Sequence, residues 1–420
     1  MGVTVEKTEL DHLHRKYDFH WEMVDVIIGG KSLLDSNAGL SGFPMQNLED
    51  ADRFMRSYGF EWNDPIQSAE AFGNFHEALN FIRENFLHPS NPDGLKIDIP
   101  RKILEITDTR DLLLMANRSY PGQMNDSQGE NLRNWACSVL KVVHTIAHLD
   151  KDVRSVYFSE IQTQILDKFY KIVHRDSSEQ LYLGTSENDP LRIPLFAFET
   201  KSKKSRESLL VKLLHKPEST AEEVFDRVGM RFTTYSKRDA LRLVKYLKDE
   251  MVLMPVNIKP SRSRNTLLDV PRFRDYLNEV LENKNEEMSL KEIENQLEES
   301  IELDLTHTDN PHSSQYYRSI QFTARQLIKI HNPIYEHLKN LKKMVKVTPV
   351  SDEFQTTVDR MDLKYVQREI RFFYPYEIQI VDQKSAEENE KGRSAHAEYK
   401  KAQIKTAMRR VMGSLMNGAG

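Results

Sequence analysis

The sequence predicts an α+β protein, with an all-helical domain over residues 1–180 and a second domain over residues 181–420 that mixes strands with helices. Three observations carry that division. A chain of 420 residues exceeds what one small core organises. Up to about Leu181, apolar residues recur at intervals of three and four, the helical period. Three later stretches, 191–198, 228–233 and 377–380, run with the two-residue period of a strand.

Composition narrows the function classes. Hydrophobic residues make up 39% and charged residues 29%, the proportions of an ordinary globular chain. A net charge of −5 gives no overall basicity toward nucleic acid, so any basic site is local. The single cysteine, Cys137, excludes an internal disulfide and fits a reducing cytoplasm. In the run WACSVLKVV it reads as a small core residue, not a nucleophile. No apolar run reaches membrane-spanning length and the first residues lack the apolar core of a signal peptide, which points to a cytoplasmic chain with no membrane partner.

The helical half opens on a polar segment holding His12, His14 and His20, a surface cluster without regular metal-ligand spacing. Phe72, Phe75, Leu79, Ile82 and Phe86 then mark an amphipathic helix, with Ser68 as its expected cap. HPSNPDG breaks the pattern. Leu132, Trp135, Val139, Val142 and Ile146 mark a long helix, and Phe158, Ile161, Ile165, Phe169 and Ile172 another. His144 and His148 stand one turn apart, which reads as a helix flank with two hydrogen-bonded imidazoles rather than a metal site.

In the second half, Leu191, Ile193, Leu195 and Ala197 alternate with Phe196 and Phe198 pointing the other way; Pro194 suggests an edge strand. The chain then turns basic and helical. Lys204, Ser208 and Lys212 recur every fourth residue and share one helical side. Thr220 and Glu223 suit a capping box. In VFDRVGMRFTTY, Val228, Met230 and Phe232 alternate against Gly229, Arg231 and Thr233, with Asp226 leading in. Ser236 and Asp239 cap the helix that follows. An acidic helical stretch runs from 278 to 305. QYYRSIQFTARQL comes next, then a long segment before YEIQIVDQKSAEENEKGRSAHAEYK. There Ile378 and Ile380 alternate with Glu377 and Gln379, and a helical stretch with His396 follows. Ile404, Met408, Val411 and Leu415 form a helical packing face in the tail.

Four of these stretches, in this order, resemble the signatures of the RelA/SpoT-type nucleotide pyrophosphokinase (alarmone synthetase) domain. They are the Lys204, Ser208, Lys212 helix; Asp226-x-x-Gly229-x-Arg231; Tyr317-x-Ser319-Ile320; and Glu377-x-Gln379-Ile380, leading to Glu390-x-Gly392-x-x-Ala395-His396-x-x-Tyr399-Lys400. Arg272 to Leu277, RFRDYL, is similar to a further family segment. The chain departs from the family pattern at Ser202 and Val381, where arginines are expected, and at Tyr316 and Gln321, in place of a glycine and a histidine. Arg206 or a lysine beside Ser202 is the nearest replacement for the first of those arginines. Helical insertions near 278–310 and 326–370 separate the later motifs.

The resemblance implies a nucleotidyltransferase-like mixed sheet flanked by helices. It implies transfer of a pyrophosphoryl group from ATP to a nucleotide 3′-hydroxyl, the (p)ppGpp synthesis of the stringent response. Asp226 and Glu377 would hold Mg²⁺ as the catalytic carboxylates, with Glu377 also drawing the proton from the attacking hydroxyl. Lys204, Ser208 and Lys212 would bind ATP phosphates, and Arg231 would stack on adenine. Tyr317 would stack on the acceptor base, with Ser319, Gln379 and His396 beside it. GDP or GTP is the default acceptor; another nucleotide, or a tRNA 3′ end as in toxin-like relatives, is the alternative. HTIAHLD does not reproduce the family's hydrolase motif, so no alarmone hydrolase activity is expected. A rival reading is a degenerate domain that senses nucleotides or docks a partner without turnover.

Overall fold

A computed structural model describes residues 16–17, 19–30, 32, 43, 45–184, 186, 192–200, 205–215, 227–282, 289–301, 317–391 and 393–416. Among them are fifteen α-helices and one seven-stranded mixed sheet, so the chain is α+β. Contacts divide it into two compact units. One comprises residues 1–152, 205–224 and 397–420; the other comprises 153–204 and 225–396. This differs from a cut at residue 180. A helix and two strands before residue 184 belong with the sheet, while the basic helix and the tail belong with the helical unit. Periodicity identified the helices but not the strands Val173–Arg175 and Leu181–Leu183, which at three residues each are too short to show a two-residue period, and it could not say which core each element joins.

The helical unit contains α1 (Trp21–Ile27), α2 (Leu48–Tyr58), α3 (Pro65–Phe86), α4 (Arg101–Leu104), α5 (Arg110–Ala116) and α6 (Ser127–Asp150). α8 (Arg206–His215) and most of α15 (Arg393–Met416) complete it. α3 starts before Ser68. Asp64 is the cap, its carboxylate accepting from the Ile66 N–H, and Pro65 fills the first helical position, where a missing N–H costs nothing. Phe75, Ile82, Trp135, Val139 and Ile146 are buried together with Leu213 and Leu214 of α8 and Met408, Val411 and Leu415 of α15. Cys137 is buried in the same core.

The sheet unit holds α7 (Phe158–Tyr170), β1 (Val173–Arg175), β2 (Leu181–Leu183), β3 (Ile193–Thr200), β4 (Gly229–Thr234) and α9 (Lys237–Asp249). It continues with β5 (Arg264–Asn265), α10 (Val270–Glu282), α11 (Leu290–Ser300), β6 (Ile320–His331), α12 (Pro333–Val347), α13 (Asp352–Arg360), β7 (Glu369–Asp382) and α14 (Gln383–Lys391). Strand order is β1-β2-β3-β4-β7-β6-β5, with β4 and β7 parallel and the other pairs antiparallel. β3 is therefore internal, not an edge. Pro194 is tolerated because β4 ends at Thr234, opposite Leu195, so Pro194 lies past its last rung. A bulge between Leu195 and Ala197 turns Phe198 onto Phe232 and leaves Phe196 about half exposed at 49%.

One face of the sheet is apolar. Met230, Phe232, Phe322, Ala324, Tyr376, Ile378 and Ile380 are buried there with Ile161, Ile165 and Phe169 of α7 and Ala240, Leu243 and Leu247 of α9. Ser236 caps α9 by accepting from the Asp239 N–H, as its sequence implied. β6 and β7 run on through 326–331 and 369–375, so the second insertion is shorter than 326–370. The alternation of Phe322, Ala324, Ile328 and Ile330 continues the strand that far. No helix among the described residues is long and apolar enough to cross a membrane.

His144 of α6 shares a 2.7 Å hydrogen bond through Nδ1 with the Tyr58 hydroxyl, and its ring lies 4.4 Å from that of His148. Burial, then the neighbouring His148, pushes its pKa down to about 4 from an ordinary 6.5. The folded state therefore binds fewer protons than the unfolded chain between those values. Its contribution is intact above pH 6.5 and is lost as pH falls toward 4, by about 3 kcal/mol in full. Urea unfolding from pH 7 to 4 should show a shallower loss for His144→Gln than for the parent; equal slopes would contradict this.

Candidate active site on the polar face of the sheet

Strand register builds the opposite face. Glu199 pairs with Arg231, Arg231 with Gln379, Gln379 with Gln321, and Gln321 with Arg264. Directly paired residues share a face, so five polar side chains from five strands form one row. The next row is Gly229, Glu377 and Thr323. Gly229 puts no side chain beside Glu377, and the Glu377 N–H donates to Val228, two residues beyond Asp226 in sequence.

The rows are cross-linked. Arg231 Nε donates to Gln379 Oε1 at 3.1 Å, and Arg231 Nη2 donates to the Tyr317 hydroxyl at 3.2 Å. Gln379 Nε2 donates to the same hydroxyl at 2.6 Å. Arg231 Nη1 stands 3.9 Å from Glu199 Oε2. Gln321 Nε2 donates to Glu377 Oε2 at 2.7 Å across the diagonal between rows. Glu377 and Gln379 are buried, at 7% and 4% exposure, as polar groups are when hydrogen-bonded.

Tyr317 sits just before β6, on a segment clamped from two sides. Thr266 Oγ1 donates to the Tyr317 carbonyl and accepts from the Ser319 N–H, while the Thr266 N–H donates to the Ser319 carbonyl. The Asn389 side chain of α14 accepts from the Arg318 N–H and donates to its carbonyl, each at 2.9 Å. Thr266 and Asn389 were not singled out from sequence. They act at separations of 51 and 71 residues, and no local pattern marks them. Arg264 and Glu199 were missed as well.

Behind Glu377, on the apolar face, the buried Tyr376 hydroxyl accepts from Lys168 of α7 at 2.8 Å. Burial pulls the Lys168 ammonium down to about 8 and pushes the Tyr376 phenol up. Adjacent residues of β7 thus serve different environments.

The structure brings Arg231, Tyr317, Gln379 and Glu377 together and anchors Ser319, which is buried, through its backbone. Asp226 and Lys204, with Ser202, Tyr316, Thr220 and Glu223, lie outside the described residues. His396 falls on α15, and its side chain is outside them too. Ser208 and Lys212 stand one turn apart on α8, in the helical unit, with the Ser208 hydroxyl 2.9 Å from that of Ser205. Among the described residues, no three His, Cys, Asp or Glu side chains gather to hold a metal ion.

Arg206 is engaged by two carboxylates of the helical unit. Its guanidinium is shared between Glu77, through Nε and Nη2, and Asp150, through Nη1 and Nη2. Its hydrogen bonds to those two carboxylates, Asp150 foremost, hold its pKa above the usual arginine range. Its planar fork is used to join α8 to α3 and α6.

No protein-family model, curated protein or solved structure matches the chain. Its motifs and the geometry above carry the functional reading.

Arg206→Gln should lower the stability of the helical unit by about 1 kcal/mol, since the exposed ion pairs are partly screened. The readout is a fall of a few degrees, ~2–4 °C, in thermal unfolding. An unchanged midpoint would mean that Arg206 is not structural.

Proposed function

We propose that the sheet unit is a nucleotidyltransferase-like pyrophosphokinase that moves a pyrophosphoryl group from ATP to the 3′-hydroxyl of a guanosine nucleotide, in the cytoplasm. The observation that supports this best is the convergence of Arg231, Tyr317, Gln379 and Glu377 on one polar face. They are residues from three separate motifs, arranged by register. A planar cation and an aromatic ring suit two purine bases, and a carboxylate between the strands suits the phosphoryl chemistry.

In the reaction the acceptor 3′-oxygen attacks the β-phosphorus of ATP, the bond from that phosphorus to the α–β bridging oxygen breaks, and AMP leaves. Glu377 takes the hydroxyl proton within hydrogen-bond reach. Gln321 fixes one oxygen of that carboxylate. Lys204, a phosphate-binding residue by the motif resemblance, neutralises the triphosphate. Hard carboxylate oxygens suit Mg²⁺, and Asp226 and Glu377 are the residues that would hold it. Bound there, it supplies charge neutralisation of the phosphates.

The test is incubation of the full chain with γ-labelled ATP, Mg²⁺ and a panel comprising GDP, GTP, other nucleotides and tRNA. Label is expected on GDP or GTP, with a loss of about 100-fold or more for Asp226→Asn and Glu377→Gln. Label on no acceptor would favour a nucleotide sensor. Equal labelling by parent and variants would remove the two carboxylates from the mechanism.

A further inference from the structure

Resting on that reading, we infer that Gln379 ties Arg231 and Tyr317 into one unit, so that filling either base site prepares the other. The three side chains form a closed triangle. Gln379 accepts from Arg231 and donates to Tyr317, and Arg231 closes the third side at 3.2 Å. Only a carboxamide of this length, on the middle strand of the three, offers an acceptor to the guanidinium and a donor to the hydroxyl at once. Gln379 is 4% exposed and paired in register with Arg231 on one side and Gln321 on the other, so its amide has little room to swing.

The triangle binds the edge of the guanidinium and the hydroxyl tip of the phenol. Stacking uses the planar faces of both groups, which these bonds do not occupy. A base that stacks on Arg231 immobilises the guanidinium and, through the shared hydroxyl, the Tyr317 ring. A base that stacks on Tyr317 does the converse. Gln379 is already fixed, but the Arg231 side chain is 32% exposed and keeps freedom to lose, so the first ligand bears the remaining ordering cost of Arg231 and Tyr317 and the second finds its own side chain held. This gives positive cooperativity without a large movement. Gln379 is in this sense a positioning residue: it links two side chains that touch ligand.

Calorimetric titration of the full chain with α,β-methylene ATP and Mg²⁺, with and without saturating GDP, tests the coupling. GDP should tighten the analogue by about fivefold or more, and the analogue should tighten GDP by the same factor. In Gln379→Leu, and in Tyr317→Phe, which keeps the ring and loses only the hydroxyl, both ligands should still bind but the ratio should fall to one. A purely structural role would weaken both ligands and leave the ratio unchanged, which would overturn the inference. A ratio of one in the parent would also overturn it while leaving the nucleotide reading intact. Failure of the parent to bind either nucleotide would overturn both.

Discussion

The parallel pairing of β4 with β7 is the contact on which the site depends. It sets Gly229 beside Glu377 and Arg231 beside Gln379 while placing Met230, Phe232, Ile378 and Ile380 on the other side. Each of those four apolar side chains is fully buried, stabilising by roughly 1.5–3 kcal/mol. A slip of one residue would exchange the faces and drive Arg231, Glu377 and Gln379 into the core. Hydrophobic burial on one side thus holds the polar groups in register on the other.

The loops that complete the site are fixed by polar contacts instead. Thr266 and Asn389 satisfy the backbone of 317–319 from opposite sides, and this places the Tyr317 hydroxyl within reach of two donors. The long β6–β7 hairpin carries its helical insertion at the far end. From Ile320 to His331 the strand spans about 36 Å. Within α12 and α13 only Val345 and Val358 are buried among the described residues. Glu377 pairs with Thr323, near the opposite end of the hairpin from that insertion.

The helical unit follows a different logic. Its core is apolar, and α8 is held to it both by Leu210, Leu213 and Leu214 and by the Arg206 fork. α8 is thus a structural element of this unit. Ser208 and Lys212 are four residues apart on it, while Arg206 is committed to Glu77 and Asp150.

The sequence by itself determined the α+β class, the long helices, the tail's packing face and the two faces of β4 and β7. These follow from local periodicity, and burial of one face enforces it. Motif resemblance, not periodicity, singled out Arg231, Tyr317, Gln379 and Glu377, and strand register sets Arg231, Gln379 and Glu377 on one face with the Tyr317 hydroxyl bonded to two of them. Only the tertiary structure decided that β3 is internal, that the chain divides by contacts other than at residue 180, and that Arg206 serves two carboxylates. The same holds for the bonds from Gln321 to Glu377 and among Arg231, Gln379 and Tyr317. Those depend on strand order, register and partners far away in sequence, and pairing across long separations leaves no periodic trace in the chain.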